Sequence, residues 1–186
     1  MFQYVTVFAL FLCGINSQII RPGKCPDVPV QENFNLIEFG GVWYEAERTP
    51  IGFEDGGSCT KHSLTPLSNV KLHVLISQLL RESGQTRLID GTATLNDKPD
   101  EAKFTVNLNL GPESRPTPYF ALEVDYNEYA SVWSCSQVNE NTYAEFAIVL
   151  ARSRNPSEET LNKARNVYDR NNISRKEFQK VDQNNC

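Results

Sequence analysis

The chain has 186 residues, a length that suits one domain. Its formal net charge of −5 and pI near 5.1 argue against a nucleic-acid binder, which normally presents a basic face. Hydrophobic residues make up 40% of the chain, enough for a substantial core.

The N-terminus comes first. Val5 to Cys13 (VTVFALFLC) is apolar and uncharged, with Gly14 and Ser17 after it. An apolar run this short, ending in small and polar residues, predicts a signal peptide over residues 1–17 and one domain over 18–186. The product is then secreted and extracellular. No later stretch approaches the ~18 apolar residues of a membrane span. Cys13 leaves with the leader, so Cys25, Cys59, Cys135 and Cys186 remain. An even number in an exported chain predicts two disulfides, and spacing leaves all three pairings open. A metal site is not expected, since the chain has no CxxC or HxxxH and its histidines are His62 and His73.

Residues 18–32 are rich in proline and polar groups, an extended arm. Asn35, with Glu38 three residues on, predicts a short helical turn that Gly40 and Gly41 end. From Gly41 to Arg152 the dominant period is two. Strands are predicted at 42–49, 59–65, 70–80, 87–95, 102–110, 118–125, 129–136 and 143–151, with turn residues between them. In 102–110, Ala102, Phe104, Val106, Leu108 and Leu110 face one way and Lys103, Thr105, Asn107 and Asn109 the other. One apolar and one wet face belong to an antiparallel sheet packed on one side. Asn155 as N-cap and Pro156 at the first helical position then predict a helix over about 156–169. Its stripe of Leu161, Ala164, Val167 and Tyr168 would pack on the outside of the sheet. A short strand near 177–181 and Cys186 close the chain. This pattern fits an all-β up-and-down barrel or a sandwich, and the pattern alone does not separate them.

Three ordered blocks carry a resemblance. Gly41-x-Trp43 lies within NFNLIEFGGVWY, Asp125-Tyr126 lies within DYNEY, and Arg152 ends the last long strand. Together they resemble the conserved blocks of the lipocalins, although Val124 stands where Thr is usual before Asp-Tyr. The arm Pro22 to Val28 and the Cys59 and Cys186 positions resemble the apolipoprotein D-like subgroup and the insect bilin-binding, Lazarillo-like proteins. The resemblance implies an eight-stranded antiparallel β-barrel with the helix packed outside. It implies that Trp43 plugs the closed end with Arg152 across its ring, while Gly41 lets the short helix pass close to the strand. It also implies the pairs Cys25–Cys135 and Cys59–Cys186.

Parity from Trp43 then turns Glu45 inward. The further inward sets are Leu72, Val74 and Ile76; Ile89, Gly91 and Ala93; Phe104, Val106, Leu108 and Leu110; Tyr119 and Ala121; Val132 and Ser134; and Ala144, Phe146 and Ile148. Such a lining suits an apolar small molecule. Glu45 is its odd member and must meet a ligand donor, a water or another side chain. Phe53, on the loop that would overhang the mouth, is an exposed aromatic for gating or membrane contact, or a plain loop anchor. Asn172-Ile173-Ser174 is a glycosylation sequon.

The function the resemblance implies is a secreted carrier of a fatty acid, retinoid, steroid or similar lipid, in lipid transport or antioxidant protection. The alternative is a pigment protein holding biliverdin or another bilin without a covalent bond. No cofactor is required and no enzyme is expected, because the cysteines are committed and no GxSxG, HExxH or glycine-rich phosphate loop is present. The expected partners are the ligand and, through the open-end loops, a membrane or receptor. The expected assembly is a monomer or weak dimer.

Overall fold

A computed structural model describes residues 18–96 and 98–186. The signal-peptide reading of residues 1–17 lies outside the described residues. The described strands are β1 (Ile19–Pro22), β2 (Gly41–Arg48), β3 (Gly57–Ser68), β4 (Lys71–Leu80), β5 (Thr86–Leu95), β6 (Lys103–Leu108), β7 (Thr117–Asp125), β8 (Tyr129–Asn139), β9 (Thr142–Ala151) and β10 (Gln179–Lys180). The helices are α1 (Leu36–Phe39) and α2 (Glu158–Arg170). β2 to β9 pair in sequence order, all antiparallel, and β9 returns to pair with β2. This closes an eight-stranded up-and-down barrel and excludes the sandwich.

Two short strands extend the barrel. β1, read from sequence as part of an extended arm, pairs with β9 from Ile19 opposite Glu145 to Pro22 opposite Thr142. β10 pairs with β2 at Glu47 and Arg48, beyond the point where β2 leaves β3. The disulfides tie down both additions. Cys25–Cys135 joins the arm to β8, and Cys59–Cys186 joins the C-terminus to β3.

Alternation divides the core in two. The inner cluster includes Trp43, Leu72, Val74, Ile76, Phe104 and Ile148. The outer cluster joins Ala46, Trp133, Ala147 and Val149 to Leu161, Ala164, Val167 and Tyr168 of α2. β8 and β9 have one face on each cluster, which explains why Tyr129 to Cys135 and Ala144 to Ala151 are buried without a break. The Tyr168 hydroxyl accepts from the Val132 amide at 2.9 Å and donates to the Ile148 carbonyl at 2.7 Å, fixing α2 on the wall.

The structure moves the start of the outer helix. Ser157, not Asn155, is the N-cap, its hydroxyl accepting from the Thr160 amide at 3.1 Å, so Pro156 precedes the helix. The Asn155 amide donates instead to the Ser153 hydroxyl. Asn and Ser cap comparably well, so composition could not choose between them. Ser157→Ala is expected to lower the unfolding free energy by about 1 kcal/mol, and Asn155→Ala by much less, in urea titrations. Equal losses would assign the cap wrongly.

Candidate functional site

The closed end gathers all three sequence blocks. Arg152 places its guanidinium carbon 3.7 Å from the centre of a Trp43 ring. It donates to the carbonyls of Tyr126 at 2.8 Å, Val42 at 3.0 Å and Glu38 at 2.8 Å. Trp43 Nε1 donates to the Phe39 carbonyl at 2.8 Å. Asp125 accepts from the amides of Asn127 and Glu128, which shapes the β7–β8 turn. The Tyr126 hydroxyl accepts from the Asn35 amide, and Asn35 caps α1 through the amides of Ile37 and Glu38. Phe34, on the arm, adds an edge contact to Phe39 at 5.2 Å. The role expected for Gly41 needs correcting. Gly41 has φ +93°, and a Cβ there would lie 3.1 Å from the Arg152 guanidinium, so it makes room for the arginine. The close pass to the helix belongs to Gly40, whose added Cβ would lie 3.0 Å from the Ile37 carbonyl.

Above this plug is a cavity of about 630 Å³. Of the residues expected to line it, Phe53, Leu72, Val74, Ile76, Phe104, Leu108, Leu110, Tyr119, Phe146 and Ile148 do. Ile89 and Val132 pack in the inner cluster without bordering the cavity. Ser134 is buried, and Ser136, two residues on, borders the cavity in its place. Phe53 is half-buried against the inner cluster rather than exposed, because the loop after β2 folds into the mouth. Ile51 beside it is buried too. Asn172 is exposed, at the turn after α2.

Glu45 points inward but does not border the cavity. It belongs to a buried polar group that the sequence reading did not assemble. His62 Nε2 lies 2.7 Å from Glu45 Oε1. Arg48 Nε lies 3.3 Å from Glu45 Oε2 and 3.2 Å from Glu54 Oε2. A shift of register between Glu45 and Glu47 places Arg48 on the inner face and leaves Glu47 outside, where it pairs with Arg165 of α2. Glu54 enters from the 3-10 turn Gly52–Glu54. Its carbonyl accepts from Arg48 Nη2 at 2.9 Å and Gln78 Nε2 at 3.5 Å. Gly57 leaves the space for Gln78, whose Nε2 would lie 2.1 Å from an added Cβ. Glu45 and Glu54 are 0% exposed. Of this group, Glu54 and His62 border the cavity. Inward parity along β3, with Thr60, His62 and Leu64 on one side, was the signal for His62. Nothing in the local sequence marks Glu54 as inward.

Burial sets the charge here. It pushes Glu45 up to about 7, against the pull of Arg48. It pushes Glu54 well above the carboxylate range, with the Glu45 charge adding to the rise, and it lowers His62. The unfolded chain loses a glutamate proton near 4.5, while the folded chain keeps it to about 7. The carboxyl's contribution is therefore most favourable below about 4.5 and declines as pH rises to about 7, by on the order of 3 kcal/mol. His62, held neutral, has the opposite sign below its usual 6.5. The wild-type minus Glu45→Gln difference reads the Glu45 carboxyl together with its coupling to Glu54. In chemical denaturation it is expected to shift in favour of Glu45→Gln between pH 5 and pH 8. A pH-independent difference would contradict this.

Residues 40–185 match the family model described as the lipocalin / cytosolic fatty-acid binding protein family. The chain is 37% identical to apolipoprotein D of Macaca fascicularis, over 91% of this chain and 87% of that one. It is 26% identical to the bilin-binding protein of Pieris brassicae, over 82% of this chain and 79% of that one. The structure of insecticyanin from the tobacco hornworm Manduca sexta superposes with TM-score 0.77 at 23% identity, covering 89% of each chain.

Proposed function

The chain belongs to the lipocalin family, and from that premise we propose that it carries a small hydrophobic ligand in the barrel and does no covalent chemistry. The observation that supports this most is the cavity of about 630 Å³, walled chiefly by aliphatic and aromatic side chains. That volume and make-up suit one fatty acid, retinoid, steroid or similar lipid. Cys25, Cys59, Cys135 and Cys186 are all in disulfides, which leaves no thiol nucleophile among the described residues. The disulfides and the apolar run at Val5 to Cys13 support secretion with removal of residues 1–17. Exposed Asn172 is accessible for glycosylation. A second reading, a non-covalently held bilin such as biliverdin, is favoured by the 26% identity to a protein named for bilin binding. The loops at the cavity mouth offer the surface for any membrane or receptor contact.

Native mass spectrometry of protein purified from its source, followed by solvent extraction, tests the reading. A recovered apolar molecule in a colourless sample supports the lipid carrier, and a visible absorption band supports the pigment. Recovery of neither, with no uptake of retinoid or fatty acid, contradicts both.

A further inference from the structure

Besides Gln18, Arg115, Thr117, Tyr119 and Ser136, the polar side chains on the cavity wall gather at one buried corner, and that corner is short of hydrogen-bond donors. Apart from the proton that the Glu45 and Glu54 carboxyls share, both Glu54 carboxylate oxygens and Glu45 Oε2 are buried with no hydrogen-bond partner. Gln78 Oε1 beside them is in the same condition. Arg48 Nε is near, but off the hydrogen-bond line to either carboxylate, so it too is unpartnered. Arg48 does not border the cavity, and its Nη atoms are spent on the carbonyls of Thr49 and Glu54. Glu54 does border the cavity, and its backbone is pinned from three sides. Its amide donates to the Ile51 carbonyl, and its carbonyl is held by Arg48 and Gln78. A buried acceptor left without a donor is costly. A fixed one at the edge of an apolar cavity is a candidate recognition group.

Resting on the carrier reading, we propose that the cavity selects apolar ligands whose buried end is a hydrogen-bond donor. A protonated amine is preferred to an alcohol, and an end bearing a carboxylate is disfavoured. Glu54 is the contacting group, and Glu45, Arg48 and His62 position it. Charge balance supports an amine. Glu45 and Glu54 together face one guanidinium, His62 is held neutral, and the crowded carboxyls retain a proton. A monovalent ammonium exchanging for that proton leaves the corner neutral. A divalent cation is the other group these residues could hold, since one ligand atom from each of Glu45, Glu54 and His62 lies within 4.8 Å of the others. It would leave a net positive charge against Arg48, which already stands 3.2 Å from Glu54. A carboxylate entering the neutral, proton-bearing corner would bring an uncompensated negative charge into it. Arg115, exposed at the cavity rim, suits such a group better there.

The test is displacement of diphenylhexatriene, an apolar fluorescent probe without a polar end, from delipidated wild-type protein by decylamine, decanol and decanoate at pH 7.5. The expected order is decylamine, decanol, decanoate, with the ends of the series apart by about tenfold or more. Glu54→Gln, with probe binding intact, is expected to bring amine and carboxylate within about twofold. The pH profile gives a second measurement if that variant does not fold. The titratable and charged groups acting on Glu54 are Glu45 and Arg48 of β2, His62 of β3 and Tyr119 of β7, with Gln78 of β4 on its carbonyl. Because the bound ammonium displaces a proton, its affinity is expected to fall about fivefold or more from pH 8 to pH 5.5, while decanol shifts by less than about twofold. The proposal is overturned if decanoate equals or exceeds decylamine, if the preference survives Glu54→Gln, if the amine profile is flat, or if zinc ion alone displaces the probe at equimolar concentration. Probe binding without this selectivity sinks the proposal alone. Absence of saturable probe binding sinks the carrier reading beneath it.

Discussion

Replacing Trp43 by alanine is expected to lower the unfolding free energy by about 3–5 kcal/mol, the largest single loss outside the disulfides. Trp43 is 0% exposed and closes the barrel between Phe39 and the Arg152 guanidinium. Truncation removes its packing, the Nε1 bond to the Phe39 carbonyl, and the face on which Arg152 rests. Arg152 would still meet the carbonyls of Glu38, Val42 and Tyr126, so the end should loosen without splaying apart. Trp43→Phe keeps a ring and gives up the N–H, and should cost less. A double-mutant cycle with Arg152→Met isolates the stacking contribution, expected near 0.5–2 kcal/mol. Trp43→Ala within 1 kcal/mol of wild type in urea titrations would show that the plug is not what closes this barrel.

The second large effect concerns the C-terminal tether. Cys59→Ser with Cys186→Ser opens a loop with a sequence separation of 127. In the chain-entropy account this costs about 4–5 kcal/mol, an upper estimate because residual structure in the unfolded chain reduces it. A local effect is superimposed. Cys59 holds a left-handed backbone, φ 57°, where β3 slips in register against β4, and its amide donates to the Asp182 carbonyl at 2.7 Å. That conformation is unfavourable for a residue with a Cβ and persists because the tail holds it. Loss of the bridge should therefore free residues 179–186 to protease while α2 stays docked through Tyr168. Proteolysis that releases α2 together with the tail would contradict this, as would a stability loss below about 1 kcal/mol.

Much of the barrel was legible because its physics is periodic. Alternation in Lys103 to Leu110 gave the two faces of β6, and parity from Trp43 carried Leu72, Val74, Ile76, Phe146 and Ile148 to the cavity wall. What escaped the reading breaks the period or depends on distant partners. The shift between Glu45 and Glu47 turns Arg48 inward, and no residue type announces an inserted residue in a strand. The pairing of Ile19–Pro22 with β9 hides in a proline-rich arm, because edge pairing needs no alternation when the arm rides on the outside. Phe34 reads as a lone aromatic in a polar stretch until its contacts with Phe39 and Phe104 are seen. Glu54 lies in a loop beside Asp55 and Gly56, a composition that signals a solvated turn. Only the carbonyl bonds from Arg48 and Gln78 reveal that the turn faces inward. The polar half of the site is therefore the part that required the structure.

That the interior is a ligand site and not merely a filled core is the proposal with the widest consequences. It is tested most directly by titrating delipidated protein with retinol and following quenching of tryptophan fluorescence, for wild type and for Val106→Trp. Val106 lines the cavity on β6, between Ala93 of β5 and Thr117 of β7, so an indole there occupies the ligand's space. Saturable one-to-one uptake by wild type is expected, with a loss of about tenfold or more in Val106→Trp while its circular dichroism and unfolding midpoint stay near wild type. No saturable uptake by wild type, or equal uptake by a folded Val106→Trp, would contradict the account.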